Sequence, residues 1–236
     1  MSTVIKNWDN KTWLSSNNYI QSFNRFLLTQ IKLDKNSRIL DIGCGRGKII
    51  GSLSSKTQLK NKPIGIDIVR HKDKDKRIEF RKIDALTFFL NNKKKFDLIL
   101  IKQTIHLLTI SDIKKLIINC KKNLSSKGAI LVFSLDPKKN QLPTFNKMQR
   151  RLKKSLLKDA RILKLLLQLS SIKISKKFVY EVKITKKEYL KMLKMRFIST
   201  LLRMSNKDLS DGIKEINSKY KNILKFNDNL ICISVK

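Results

Sequence analysis

Three acids, three glycines, a lysine and a histidine carry the chemistry available to this chain. Asp41, Gly43, Gly45 and Gly47 fall within residues 38–50, RILDIGCGRGKII, in the pattern D-x-G-x-G-x-G. Glycines at alternate positions let the backbone turn sharply and leave no Cβ in the way of a ligand. Lys48, Ile49 and Ile50 then open a helix, whose free N–H groups and positive dipole end suit a nucleotide-like ligand. A dinucleotide fingerprint would read G-x-G-x-x-G and cradle a pyrophosphate. The spacing found here, with an acid two residues before the first glycine, suits a ligand with a cationic amino-acid end. Asp67 lies about twenty residues past the turn, where a carboxylate can accept both hydroxyls of a ribose. Asp84 follows as a third candidate acid. Further on come Lys102, Gln103 and His106, and His106 either serves as a general base near neutral pH or packs beside Leu107 and Leu108.

These side chains need strands that end beside one another. Residues 39–42, 63–68, 78–83 and 96–102 are short apolar runs of the kind buried on both faces of a parallel sheet. Asp41, Asp67, Asp84 and Lys102 each stand at or next to the end of one. Residues 129–134 supply a fifth strand after a turn at 125–128. Helices are expected over about 48–55, over 85–91 with Asp84 as an alternative N-cap, and over 111–123 with Ser111 as cap. The stretch RHKDKDKR, 70–77, has no apolar period, so the crossover before the third strand is short. Ser15 or Ser16 caps a leading helix whose apolar face is Tyr19, Phe23, Phe26 and Leu27. Alternating strands and helices to residue 135 predict a doubly wound parallel sheet. Beyond it the pattern predicts a basic helix over 145–169, a strand over 178–184 and a helix over 186–204. A further helix, capped by Ser205, runs to about 220. A last strand over 224–235 is broken by a turn at Asn227–Asp228–Asn229.

The glycine turn and the acid at the second strand end together resemble the class I S-adenosylmethionine-dependent methyltransferases, whose first motif this is. The resemblance implies a Rossmann-like, seven-stranded, mostly parallel α/β sheet of order 3-2-1-4-5-7-6, with a helical cap inserted near the C-terminus. It implies one domain over 1–236: an N-terminal helical segment (1–36), a cofactor-binding core (38–135), a cap and acceptor region (137–223) and the last strand. S-adenosyl-L-methionine is the implied cofactor. Asp41, Gly43, Cys44, Gly45 and Gly47 would hold it at the turn. Asp67 and Ile68, Asp84 and Ala85, and Lys102 would hold it at the strand ends.

Neither N-P-P-Y nor D-P-P-Y follows the fourth strand, and no aspartate stands at Lys102, as base-directed and ribose-directed nucleic-acid methyltransferases respectively would have. The short crossover is nonetheless a feature of the ribose branch. The TIHLL run and the segment MRFISTLLRMSNKDLSDGI, 195–213, are instead similar to the small-molecule branch, menaquinone-, ubiquinone- and trans-aconitate-type enzymes. On that likeness a small-molecule acceptor is expected, with Gln103 on its side of the site, Trp13 and Tyr19 either there or packed in the core, Arg196 either there or a plain surface arginine, and His106 as candidate base.

Composition sets the remaining bounds. With 53 basic and 18 acidic residues the chain carries a formal charge of +35, a footprint that fits RNA as well as any anion. Lysine dominates that excess alongside abundant Ile and Asn, as diffuse compositional bias would also produce. A basic stripe on the long helix, Lys147, Arg151, Lys154, Lys158 and Arg161, is the best RNA candidate, either for an RNA methyltransferase or for a silent RNA-binding module. Three scattered cysteines argue for a reducing compartment and against a disulfide framework or a zinc site, and no metal is expected. No apolar run is long enough for a membrane span, and a cytoplasmic protein is expected. Oligomeric state is left open.

Overall fold

A computed structural model of the chain describes residues 12–170 and 174–235. Residues 1–11, including Trp8 and the start of the expected N-terminal segment, lie outside the described residues. The apolar runs form strands as expected: β1 (Ile39–Ile42), β2 (Ile64–Asp67), β3 (Glu79–Lys82), β4 (Phe96–Lys102) and β5 (Leu124–Leu135). With β6 (Ile174–Thr185) and β7 (Ile223–Val235) they make one seven-stranded sheet of order β3-β2-β1-β4-β5-β7-β6. The first five strands are parallel, and β7 runs antiparallel to both β5 and β6. All first-five strand ends that carry candidate residues therefore emerge on one edge, where ligands of such sheets sit.

Helices α1 (Asn17–Gln30), α2 (Lys48–Thr57), α3 (Ala85–Leu90), α4 (Ile110–Lys122), α5 (Asn146–Leu169), α6 (Lys186–Lys194) and α7 (Asn206–Lys219) cover the two faces. Strand alternation divides the apolar residues into two cores. One gathers Leu98, Leu100, Leu131 and Phe133 beneath α1, with Phe178, Leu224 and Phe226. The other gathers Ile99, Ile101, Ile130 and Val132 beneath α3 and α4. The 24-residue α5, about 36 Å long, begins against the first core at Met148 and ends in the second at Ile162 and Leu166.

Four expectations need correction. The cap of α4 is Thr109, not Ser111: its hydroxyl accepts from Asp112 N–H and donates back to the Asp112 carboxylate. The turn expected at 125–128 is a bulge within β5, pinned by Ser125 Oγ donating to Asp97 at 2.6 Å. The helix expected to run to Met204 stops at Lys194, because the chain turns through Arg196 at φ 53° and buries Phe197 against Trp13. Finally, Asn227–Asp228–Asn229 is no turn. These residues pair with Glu181, Tyr180 and Val179 inside an unbroken β6–β7 ladder of twelve residue pairs.

Candidate active site

The turn after β1 shows why three glycines stand there, and the reasons differ. All three have positive φ, 73°, 55° and 70°. A Cβ on Gly43 would lie 2.2 Å from Thr104 Oγ1, and one on Gly47 would lie 2.1 Å from Ile78 Cδ1. Those two glycines are demanded by the protein's own packing. A Cβ on Gly45 would meet nothing within 4 Å, so this glycine alone faces the open space of the site. Cys44 turns inward, where its thiol would meet any side chain at Gly65, and burial holds it far from ionisation. Its side chain packs against the first core.

Asp67 closes β2 and reaches back to the turn: Oδ2 accepts from Gly45 N–H and Oδ1 from Val69 N–H, each at 2.9 Å. His71 Nε2 lies 3.8 Å from the same carboxylate. Ile68, the next residue, is more than half exposed at the strand end. Asp84 is exposed and caps α3 through Thr87 N–H at 3.0 Å, while Ala85 opens that helix. The cap holds the Asp84 carboxyl below the usual range and leaves its other oxygen lone pairs for a ligand.

Asp41 and Lys102 stand on neighbouring strands and on one face. Asp41 is buried, and burial raises its pKa to about 7 against the opposing pull of Lys102; Asp67 adds to the rise. Lys102 Nζ lies 5.2 and 5.4 Å from the ring centroids of Tyr19 and Phe23 and donates to Gln103 Oε1 at 3.1 Å. Gln103 itself has φ 52°, a strained conformation for a residue with a side chain. The same face carries an acid that the turn-like reading of residues 227–229 hid. Asp228 is buried and accepts from Trp13 Nε1 at 3.2 Å, and burial raises its pKa while Lys102 and Trp13 oppose the rise. Tyr19, also buried, faces this carboxylate, and its hydroxyl joins Lys102 and Trp13 in opposing the rise. Trp13 and Tyr19 are thus walls of the first core beside the site, packed on Phe226 and Tyr180. The overlooked signal was alternation: Leu224, Phe226, Asp228, Leu230 and Cys232 form one period-two series.

Two acceptor-side candidates are placed differently from expectation. Arg196 is engaged in the cap loop, donating to the carbonyls of Leu201 and Met204 and to Asn206 Oδ1. His106 sits in a 3₁₀ turn after β4, where burial and the nearby Lys158 lower its pKa to about 4. At neutral pH it is a weak base, poorly matched to proton abstraction. The basic stripe is also partly spent. Lys147 pairs with Asp208 at 2.6 Å, Arg151 donates to Thr200 O, and Lys158 donates to His106 O at 2.7 Å. Among the described residues no group of three or more His, Cys, Asp or Glu could hold a metal, and no helix is long and apolar enough to cross a membrane.

A family profile described as a methyltransferase domain matches residues 33–196. The chain belongs to the methyltransferase-domain family. It is a class I methyltransferase, and S-adenosylmethionine is the methyl donor of that class. The matched span holds the glycine turn, every strand end that carries a candidate cofactor residue, and His106. No curated protein matches the sequence. Solved structures share the fold at low identity. One is described as a methyltransferase of an antibiotic biosynthesis pathway from Anabaena variabilis: 15% identity, 89% of this chain and 95% of that one, TM-score 0.59. A plantazolicin methyltransferase, solved with a desmethyl substrate analog and SAH, is 16% identical over 98% and 89% of the two chains, TM-score 0.51. A precorrin 8W decarboxylase from Methanobacterium thermoautotrophicum is 11% identical over 98% and 96%, TM-score 0.52. Fold likeness therefore does not name the acceptor of this class I enzyme.

Proposed function

We propose that this methyltransferase acts on a small-molecule acceptor bound where β4, β7 and α1 meet. The observation that carries the reading is Gly45, the one glycine of the turn whose missing Cβ opens onto empty space, with its N–H fixed on Asp67. That arrangement fits a nucleoside with an amino-acid tail. The open face of Gly45 would take the tail, Asp67 the ribose, and Ile68, Asp84 and Ala85 the adenine. Asp41 would face the cationic end of the tail, with Lys102 and Gln103 at the junction with the acceptor. Bound there, the cofactor supplies a sulfonium-activated methyl group as the electrophile.

The chain's own residues are then left to orient a nucleophile and manage one proton. Trp13, Tyr19 and Phe23 are packed into the first core and would back the acceptor side from behind Lys102 rather than meet the acceptor. His106, neutral at physiological pH, is suited to hydrogen-bonding rather than to carrying the proton. The internal engagement of Lys147, Arg151 and Lys158 removes most of the stripe on which an RNA reading rested. Calorimetry with S-adenosylmethionine and S-adenosylhomocysteine tests the site, and a radiolabelled methyl-transfer screen over small molecules and RNA tests the acceptor. Binding lost in Gly45→Val and retained in Lys154→Glu/Arg161→Glu is the expected result. Transfer found only to RNA, and lost in the double charge reversal, would overturn the choice of acceptor.

A further inference from the structure

The stretch RHKDKDKR, 70–77, reads as a solvated crossover, yet His71 and Asp75 within it are buried, 4% and 7% exposed. Both reach the glycine turn. Asp75 N–H donates to the Arg46 carbonyl at 2.9 Å, and its carboxylate fills the space above Gly51, where a Cβ would lie 2.4 Å from Asp75 Cγ. Arg77 clamps that carboxylate through Nε at 2.8 Å and Nη2 at 2.6 Å, and donates to Ser55 Oγ of α2 at 3.0 Å. The crossover is therefore fastened to α2 at one end and continuous with β2 at the other. His71 lies between these anchors.

Its Nε2 faces Asp67 Oδ2 at 3.8 Å, the oxygen that also accepts from Gly45 N–H, and its side chain is 2% exposed. An imidazole buried against a carboxylate presents Nε2–H to it, because the other tautomer would set lone pair against lone pair. The separation is longer than a hydrogen bond but within reach of charge and dipole, so His71 attracts Oδ2 without occupying a lone pair. A carboxylate offers about four such sites. The Gly45 and Val69 N–H groups take two, which leaves room for both hydroxyls of a ribose.

We propose that His71 is a positioning residue that acts through Asp67, holding the carboxylate so that its free lone pairs meet the ribose hydroxyls of the cofactor. The inference rests on the cofactor reading above for the ribose, and on the geometry alone for how Asp67 is held. Without His71, two backbone N–H groups alone set the plane of the carboxylate, and it can tilt away from the ribose while keeping both.

The hold is read with ligand and without it. S-Adenosylhomocysteine and its 2′-deoxy analogue are titrated by calorimetry, and the ratio of their dissociation constants reports the contact of Asp67 with the 2′-hydroxyl. His71→Ala should shrink that preference about threefold or more, with the deoxy analogue bound nearly as in the wild type. His71→Gln, whose amide nitrogen can stand where Nε2 does, should restore it; a Gln variant no better than Ala overturns the proposal. His71→Phe fills the buried space without a nitrogen and should match His71→Ala, so it serves if the smaller side chain folds poorly. In an Asp67→Asn background a change at His71 should leave the ratio alone. Equal losses for both ligands would show a purely structural role, and a further fall in the Asp67→Asn background would show another route; either result overturns the proposal. In the ligand-free protein the Gly45 amide, bonded to the same oxygen, should exchange with solvent about tenfold faster in His71→Ala, while the amides of β4 stay unchanged. Unmoved exchange at Gly45 overturns the proposal. A wild type that binds neither nucleoside overturns the cofactor reading instead, and the Gly45 amide still decides whether His71 holds Asp67.

Discussion

The indole of Trp13 donates to the Asp228 carboxylate at 3.2 Å, joining residues 215 positions apart in the chain. This bond ties the segment ahead of α1 to the last strand, inside the protein. Trp13→Phe keeps an aromatic ring against Phe197 and Phe226 but removes the donor, leaving a buried carboxylate short of a partner. A loss of about 1–3 kcal/mol is expected in urea unfolding. A change smaller than about 0.5 kcal/mol would show that the bond contributes nothing measurable.

The three glycines of the turn should separate into two classes. Gly43→Ala and Gly47→Ala place a Cβ within 2.2 Å of Thr104 or Ile78 and should lower the melting temperature sharply. Adding Ile78→Val, which deletes the atom in the way at 2.1 Å, should recover part of the Gly47→Ala loss. Gly45→Ala meets no protein atom and should cost only the strain of positive φ, about 1–2 kcal/mol. Its main effect should be on S-adenosylhomocysteine affinity. Equal affinity in Gly45→Ala and wild type would remove the turn from the cofactor site.

Asp41 gives a pH dependence with a definite sign. Its folded pKa is raised to about 7 by burial, so between about pH 4 and 7 the folded state holds a proton that the unfolded state has released. The contribution of Asp41 to stability therefore falls as pH rises through that window. Asp41→Asn abolishes the linkage, so the variant should gain on the wild type from pH 4 to 7, by an amount of order 1–4 kcal/mol. Denaturation at several pH values without ligand checks it; parallel curves would refute the assignment.

Asp67 anchors both the turn and its own strand end. Asp67→Ala removes the acceptor of the Gly45 and Val69 N–H groups and should weaken S-adenosylhomocysteine binding by about 1–3 kcal/mol in calorimetry. Unchanged affinity would sink the ribose assignment.

The charged stripe predicts a modest response to salt. Lys154 and Arg161 are the exposed members without a hydrogen bond or ion pair among the described residues. Reversing both to glutamate should leave cofactor affinity within about 0.5 kcal/mol. It should flatten the log–log salt slope for single-stranded RNA by no more than about 1.4, two contacts' worth. A slope change of three or more would mean that the whole helix face grips phosphates.

What the sequence determined by itself was local. The D-x-G-x-G-x-G turn, the apolar runs of β1, β2 and β4, and the N-caps Ser16, Asp84 and Ser205 are each readable within a few residues, because backbone sterics and short-range hydrogen bonds set them. The sheet order followed from the family resemblance, and the β5–β7–β6 pairing bears it out. The tertiary structure alone decided whatever depends on distant partners. Asn227–Asp228–Asn229 has the composition of a turn, but twelve paired residues of β6 hold it extended and turn Asp228 toward Trp13 and Lys102. Arg196 and the basic stripe look solvent-bound along the chain, yet carbonyls and Asp208, brought near only by packing, take up the charges of Arg196, Lys147, Arg151 and Lys158. His106 keeps a spacing that would suit a base, and burial beside α5 lowers its basicity. Spacing specifies what a residue could do; the field and the neighbours that select among those uses exist only once the chain has folded.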